Sequence, residues 1–492
     1  IPTAECVPVS VPLSRPKVRG AMELTLTTPD GHGLFFIGSA MLLNPQPAPR
    51  DIYLTTIDTL AAGRTSLYGY HHDTTPFMKS IMGQGSLYMR AYSPAPWTRP
   101  SYASMFTGQP PSVHRAFPRQ LVGPTMIAGD ESLSDRFQTL PGTLRSMGYV
   151  TIGIYSVGQL SHEFGFAQDF DIYLYLPEWR SSFKTPQTEY RLATRTTEAV
   201  IQYVDLLAGI PMFMFTNYLQ PHTPYDPPGE FSSPYLASLP GTPKDMINIG
   251  GGIVPPKQLP EKYPPDNIVA LYDAEVTYVD HEMKRLVEAL EARGRFDPSI
   301  FIFTADHGEE LGEHGGWGHG FALTDQHIHV PLWIRCKGRV PEGVRIEQPI
   351  SLQSIYPTIL DLLDYGYTSE RFWSPSLASK PSQQSANIPI FSEKHNHQGE
   401  SPQRAVILQD FKLVHNLASN SFELYNLRQD PGERINLYGQ VKGVAILEQL
   451  LRDFTARAER QRAGIAMHAG TPTKSGEVSN ELKQRLRDLG YF

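Results

Sequence analysis

Ser299-Ile300-Phe301-Ile302-Phe303-Thr304-Ala305-Asp306-His307-Gly308-Glu309-Glu310-Leu311-Gly312-Glu313-His314-Gly315-Gly316-Trp317-Gly318-His319-Gly320 decides how the rest of the chain is read. After Ser299, the run Ile300 to Phe303 is apolar, β-branched and aromatic, and it follows the turn-forming pair Asp297-Pro298. That composition predicts a buried parallel strand. Asp306 and His307 then fall at the strand's carboxyl end, the edge where open α/β sheets bind ligands. An adjacent Asp and His offer one divalent cation a hard anionic oxygen and a borderline nitrogen, and the glycines at 308, 312, 315, 316, 318 and 320 let backbone approach it. The competing reading is a glycine-rich surface loop with solvated acids, and it is preferred for Glu309, Glu310, Glu313 and His314.

Composition narrows the partners. The 492 residues, 40% of them hydrophobic, suffice for one large α/β core and a smaller companion. A net charge of -7 from 43 basic and 50 acidic residues leaves no basic patch for a nucleic-acid duplex. Cys6 and Cys336 are too few for a disulfide scaffold or a thiolate metal site, and the sequence leaves their pairing open. The best apolar run, Leu34 to Leu43, is far short of the roughly 20 residues that span a bilayer, so a soluble protein without a membrane span is expected. A chain beginning at Ile1 without Met points to processing, with export to a periplasmic or extracellular space as the accompanying expectation.

Working outward, residues 1–49 read as a β-hairpin (Met22 to Thr27, turn at Pro29-Asp30-Gly31, Leu34 to Ile37) and a proline-rich linker. Asp51 to Ile57 is a second core strand, which puts Asp58 at a carboxyl end as well. Ser93 to Gly108 passes from a proline-rich turn into a helix with Pro100 in its first turn and Thr98 at or just before its start. A hydroxyl there faces unpaired N–H groups and the positive end of the helix dipole, which suits attack on an anionic tetrahedral group; a plain N-cap is the alternative. Strands are predicted at Val150 to Tyr155 and Met212 to Phe215. The second leads to His222, a ligand, a general acid or a structural histidine between prolines. Residues 227–265 form a lid or rim rich in Pro, Gly and Ser. Asp266 to Arg293 is the clearest helix, with Asp273, Glu275, Asp280 and Glu282 assigned to its polar face. His327 and His329 open another strand without evident partners. After residue 375, short strands and a helix near 440–463 predict a small antiparallel sheet packed by a helix. The expected fold is α/β, a doubly wound, mostly parallel sheet flanked by helices (50–375), with this α+β part (376–492) and the N-terminal hairpin (1–49).

Thr56-Ile57-Asp58-Thr59-Leu60, Thr98 to Gly108, Pro221-His222-Thr223-Pro224-Tyr225, the Asp306 motif and Glu423-Leu424-Tyr425-Asn426-Leu427 with Asp430-Pro431 and Asn436-Leu437 occur in this order. In these five motifs the chain resembles the sulfatase-like branch of the alkaline phosphatase superfamily over residues 51–492. The resemblance implies one tightly held divalent metal (Zn, Mn, Ca or Mg) on Asp58, Thr98, Asp306 and His307, with residue 98 the nucleophile.

Departures from the sulfatase pattern redirect the chemistry. Sulfatases of this family carry Cys or Ser where Thr98 stands and oxidise it to formylglycine; Thr, with a methyl on Cβ, would give a ketone, so no formylglycine is expected. Tyr102 stands where the family has Arg, and the sulfate-binding run after Gly148-Tyr149 is missing. A Thr nucleophile instead resembles the superfamily's phosphodiesterases and phosphoethanolamine transferases. The Asp-His-Gly-Glu pattern with His319 thirteen residues after Asp306 resembles the transferases too, although those carry transmembrane helices. The expectation is hydrolysis of a small anionic ester, a phosphodiester or phosphonate monoester, through a phosphothreonine at Thr98. His222 and His319 are assigned to transition-state charge or proton transfer, and Arg99 and Tyr102 to substrate contact. The alternatives are a sulfatase acting through Thr98, a phosphoethanolamine-type transferase and an inactive metal- or anion-binding protein. A homo-oligomer is compatible with all of them.

Overall fold

The apolar run ahead of Asp306 forms a strand inside a nine-stranded sheet. The computed structural model describes residues 50–118, 120–122, 125–127, 130–176, 192–237, 239, 264–378, 387–395 and 401–467. In chain order the long strands of this sheet are β1 (Ile52–Ile57), β2 (Ser86–Tyr92), β3 (Val150–Tyr155), β4 (Ile172–Tyr175), β5 (Met212–Tyr218), β6 (Ile300–Ala305), β7 (His329–Arg335) and β8 (Val344–Ile346). They lie in the order β8-β2-β7-β6-β1-β5-β3-β4, with Ile350–Ser351 pairing onto β2. All neighbours run parallel except β7, which is antiparallel to β2 and β6.

Every residue of β1, β3, β5 and β6 is buried. Parallel strands covered by helices on both faces have no solvent side, hence continuous apolar runs rather than alternation. Each fully buried Ile, Leu or Phe contributes roughly 1.5–3 kcal/mol, so the sheet is a rigid base for whatever follows its carboxyl ends. Ile57 stands level with Ala305 on one side and with Tyr218 on the other, and this register brings Asp58 and Asp306 out side by side.

The C-terminal strands β9 (Ile390–Lys394), β10 (Gln403–Leu408), β11 (Phe411–Asn416) and β12 (Ser421–Asn426) form an antiparallel sheet in sequence order. Its period-two alternation is used on both faces. Val406, Leu413 and Leu424 pack on Leu447 and Leu451 of the helix Val444–Met467, while Ala405, Ile407 and Val414 pack with Tyr92 and Ile328 of the large domain. The fold is thus α/β with a small separate sheet, as the sequence predicts.

Three expectations change. Asp273, Glu275, Asp280 and Glu282 are buried, not a solvated face, because the helix Pro265–Ala292 is covered on several sides: Asp280 accepts from the backbone of Phe77 and Met78, and Glu275 from that of Asp226. His327 and His329 have partners, Thr324 Oγ1 at 2.8 Å and Met89 O at 2.8 Å, and His327 lies in a helical turn ahead of β7. The predicted rim contains the helix Gly229–Leu236, and most of its remainder lies outside the described residues. The N-terminal hairpin and Cys6 also lie outside them; Cys336 is buried. Among the described residues no helix is long and apolar enough to cross a membrane.

Candidate active site

Four chain segments meet at the carboxyl edge of the large sheet. β1 delivers Asp58, β6 delivers Asp306 and His307, the connection after β2 delivers Thr98, and the turn after β5 delivers His222. Thr98 is the first residue of the helix Thr98–Thr107, and Trp97 occupies the cap position. The plain N-cap role is therefore not what the structure shows. Ser101, on the next turn, donates to Asp306 O at 2.7 Å and fastens this helix to the loop after β6.

His307 Nε2 is the hub. Thr98 Oγ1 lies 3.3 Å from it, Asp306 Oδ2 3.4 Å and Asp58 Oδ1 3.6 Å, and all four residues are buried. Nδ1–H of the same ring donates to Gly308 O at 2.9 Å, which fixes the tautomer and leaves Nε2 as the coordinating nitrogen. Asp58 Oδ1 and Asp306 Oδ2 accept no hydrogen bond although both are buried. Burial pushes both carboxyls well above their ordinary range, with Glu309 adding to it at Asp58 and Asp58 at Asp306. Burial, then neighbouring His319, holds His307 well below the usual imidazole value.

Two buried acids with orphaned oxygens beside a neutral imidazole are costly alone and suited to a cation. Donor atoms of Asp58, Asp306 and His307 lie within 4.8 Å of one another. Ligands about 2.1 Å from one ion at a tetrahedral angle stand roughly 3.4 Å apart, close to the separations seen here. The residues fit a divalent metal, which members of this fold family bind.

His319 packs its ring 4.5 Å from that of His307 and 5.1 Å from that of His222. His222 Nδ1–H donates to Thr223 O at 2.6 Å. Burial lowers His319 to about 3.

Arg99 and Tyr102 depart from the substrate-contact assignment. The Arg99 guanidinium donates to Gln159 Oε1 and Glu131 O and lies 3.5 Å from the Phe164 ring centroid. Tyr102 lies one turn behind Thr98, under the carboxylates. Asn217 Nδ2 donates to its hydroxyl at 2.9 Å, and that hydroxyl and Thr56 Oγ1 are 2.7 Å apart. The same Asn217 amide stands 3.5 Å from Asp58 Oδ2.

Asn217 carries no signal in the sequence, and two acids of the opening motif are buried where a solvated loop was expected. Glu309 is fully buried with Oε1 3.0 Å from His319 Nδ1, and burial pushes it up to about 8. Glu310 is buried too, its Oε1 accepting from the backbone of His314 and Gly316 and so shaping the loop. The ten-residue spacing from Glu309 to His319 across a loop rich in glycine was the available signal, since such a loop can double back.

The sulfatase family model matches residues 50–365, and a model described as N-sulphoglucosamine sulphohydrolase, C-terminal, matches 312–460. The arylsulfatase of Clostridium perfringens (strain 13 / Type A) is 24% identical over 282 residues, which cover 54% of this chain and 58% of that protein, less than two thirds of its length. Iduronate 2-sulfatase of Mus musculus is 24% identical over 450 residues, 77% of this chain and 78% of that one. The structure of the phosphonate monoester hydrolase of Agrobacterium radiobacter aligns with a TM-score of 0.65 at 20% identity, over 84% of this chain and 96% of that one, a likeness of fold. Because the first match covers more than half of the chain and takes in every strand of the large sheet, the chain belongs to the sulfatase family, within the alkaline phosphatase superfamily.

Proposed function

We propose that this ester hydrolase acts on monoanionic phosphorus esters, phosphodiesters or phosphonate monoesters, with Thr98 as nucleophile. The observation that carries the reading is Thr98 Oγ1 at the start of a helix, 3.3 Å from His307 Nε2 and beside two buried carboxylates. Thr has no route to formylglycine, so its own oxygen is the group available for attack. A divalent cation on Asp58, Thr98, Asp306 and His307 would supply positive charge that lowers the hydroxyl's pKa and offsets the charge of the ester.

Thr98 gives up its hydroxyl proton to water, Oγ1 forms a bond to phosphorus, and the bond from phosphorus to the leaving oxygen breaks. The candidates for proton transfer are His319, its ring 4.5 Å from that of His307, and His222, 5.1 Å beyond it; one passes a proton to the leaving oxygen, and in the second step one takes a proton from the water that displaces Oγ1 from phosphorus. The Arg99 guanidinium is directed at Gln159, Glu131 O and the Phe164 ring, so its donors are taken by protein partners and not offered to a dianion. This favours a monoanionic substrate over a phosphomonoester.

A sulfate monoester is also a monoanion, and the family match together with the arylsulfatase and iduronate 2-sulfatase likenesses favours it as the second reading. A rate panel decides between them: aryl phosphodiester, phosphonate monoester, phosphomonoester and sulfate ester with one common leaving group, on purified, metal-analysed protein beside Thr98→Ala. Diester or phosphonate turnover that falls by on the order of 10³-fold or more in the variant is expected. Preferential sulfate turnover overturns the phosphorus reading, and turnover unaffected by Thr98→Ala removes the threonine nucleophile.

A further inference from the structure

His319 stands between Gly318 and Gly320, whose φ angles of 105° and 90° put both in the left-handed region. Glycine enters that region freely and loses more conformational freedom on folding than any other residue. The backbone on either side of the imidazole therefore has no strong preference of its own for the folded path. Where the ring comes to rest is decided by what holds the chain before and after it.

Upstream, Trp317 and Gly318 pair antiparallel with Leu311 and Glu310, and Glu310 Oε1 accepts from His314 N at 2.9 Å and from Gly316 N at 2.8 Å. Downstream, the hold comes from the small sheet. Lys394, the last residue of β9, is buried, and its Nζ donates to Phe321 O at 2.6 Å, two residues past His319. Such a bond from an ammonium is charge-assisted, and its shielding from water strengthens it further. Lys412 of β11 donates to Leu323 O at 2.9 Å but is also matched to Asp325 and Glu433, so it serves the joint as a whole. The Phe321 ring folds back over Gly316, where a Cβ would lie 2.6 Å from Cζ, and meets the His327 ring edge-on at 4.5 Å. Phe321 is thus held at its ring by the loop and at its carbonyl by Lys394.

Resting on the role given to His319 above, we infer that Lys394 is a positioning residue for the reaction. By holding Phe321 O it fixes the glycine-flanked turn and sets where the His319 imidazole stands against His307 and His222. The small sheet, which supplies none of the proposed metal ligands, enters the chemistry by this route, and Lys394 acts through the ring.

A double-mutant cycle separates positioning from plain support of the fold. On metal-analysed full chain with the fastest ester of the panel above, Lys394→Met should lower kcat about 10- to 100-fold and leave KM within about twofold, the pattern of a displaced group. Introduced into His319→Gln, the same change should lower kcat by less than about twofold, because the group it places is gone. Phe321→Ala loosens the same turn from the ring side, and the same pattern is expected of it. An equal factor in both backgrounds overturns the inference, as does a parent-like kcat in Lys394→Met or in His319→Gln. NMR of the full chain labelled at histidine, with His319→Gln to assign the signal, reads the placement without turnover. One His319 resonance is expected in the parent, shifted or split in Lys394→Met and Phe321→Ala; an unchanged resonance overturns the inference. Failure of the Thr98 reading appears separately, as turnover that survives Thr98→Ala.

Discussion

At the scale of single residues, Tyr102 shows how identity and position part company. It occupies the place where the sulfatase pattern has Arg, yet its hydroxyl takes a hydrogen bond from Asn217 and meets Thr56, below Asp58. Removing that hydroxyl in Tyr102→Phe takes the 2.9 Å acceptor from the Asn217 amide, which is left only its longer contact to Asp58, while Thr56 keeps its bond to Thr216 O; the support of Asp58 is loosened. Metal affinity should fall about 10-fold, measured by chelator competition, while KM for a good aryl substrate stays within about twofold. A raised KM with intact metal affinity would restore Tyr102 to the substrate side. Asp306 and His307 were legible in the sequence because ligand chemistry and a strand terminus coincide in adjacent residues. Asn217 and Glu309 were not, because a polar residue reads as solvated until the segments that cover it are known. For Glu309 those are the loops at Thr59 and Tyr225, respectively 250 and 84 residues away.

At the scale of elements, the helix Pro265–Ala292 makes the same point with a titration attached. Its helical period was plain from sequence, but its acids were assigned outward because nothing local says that a second helix needs them. Thr75 provides no side-chain cap to the short helix Pro76–Ile81. Asp280 supplies it instead, accepting from Phe77 N at 2.7 Å and Met78 N at 2.9 Å. Burial pushes its carboxyl up to about 7, against about 3.9 for Asp in an unfolded chain. The native state then binds the proton more tightly, so the contribution to stability is full below about pH 4 and is lost as pH rises through about 7. Asp280→Asn keeps one acceptor and abolishes the titration. Urea midpoints measured from pH 4 to 8 should fall with pH more steeply in the parent than in the variant, by at most about 1.4 kcal/mol per pH unit. Parallel profiles would mean that Asp280 does not carry the pH dependence.

At the scale of the whole molecule, the four strands of the small sheet and the central strands of the large one were legible from their apolar runs, whereas Ser86–Tyr92, Ile172–Tyr175, Val344–Ile346 and Ile350–Ser351 were not, and neither was the joint between the sheets, whose ionic part has partners distant in sequence. Lys412, on β11 of the small sheet, is fully buried; its Nζ lies 2.7 Å from Asp325 Oδ1 and 2.7 Å from Glu433 Oε1 and donates to Leu323 O at 2.9 Å. Burial alone would lower this amine; the two carboxylates outweigh it and hold it above its usual value. The loop around Glu433 reaches onward to the loop that follows Asp306 and His307: Asp325 N donates to Glu433 Oε2 at 2.6 Å, His314 Nε2 donates to Gly432 O at 2.8 Å, and Arg434 donates to Glu313 O. Lys412→Met removes the cation and leaves the buried carboxylate of Glu433 facing the partly exposed one of Asp325, a change that costs at most about 3–5 kcal/mol, the figure for a fully buried pair broken from one side. Because the same loop buttresses residues 313–314, the destabilisation should not stay in the small sheet. Denaturant unfolding of the variant should remain a single transition at a lower midpoint, with metal released more readily at every denaturant concentration. Were the small sheet to melt first, with metal affinity unchanged, the joint would be a local fastening, and the geometry around Asp306 would owe nothing to the C-terminal sheet.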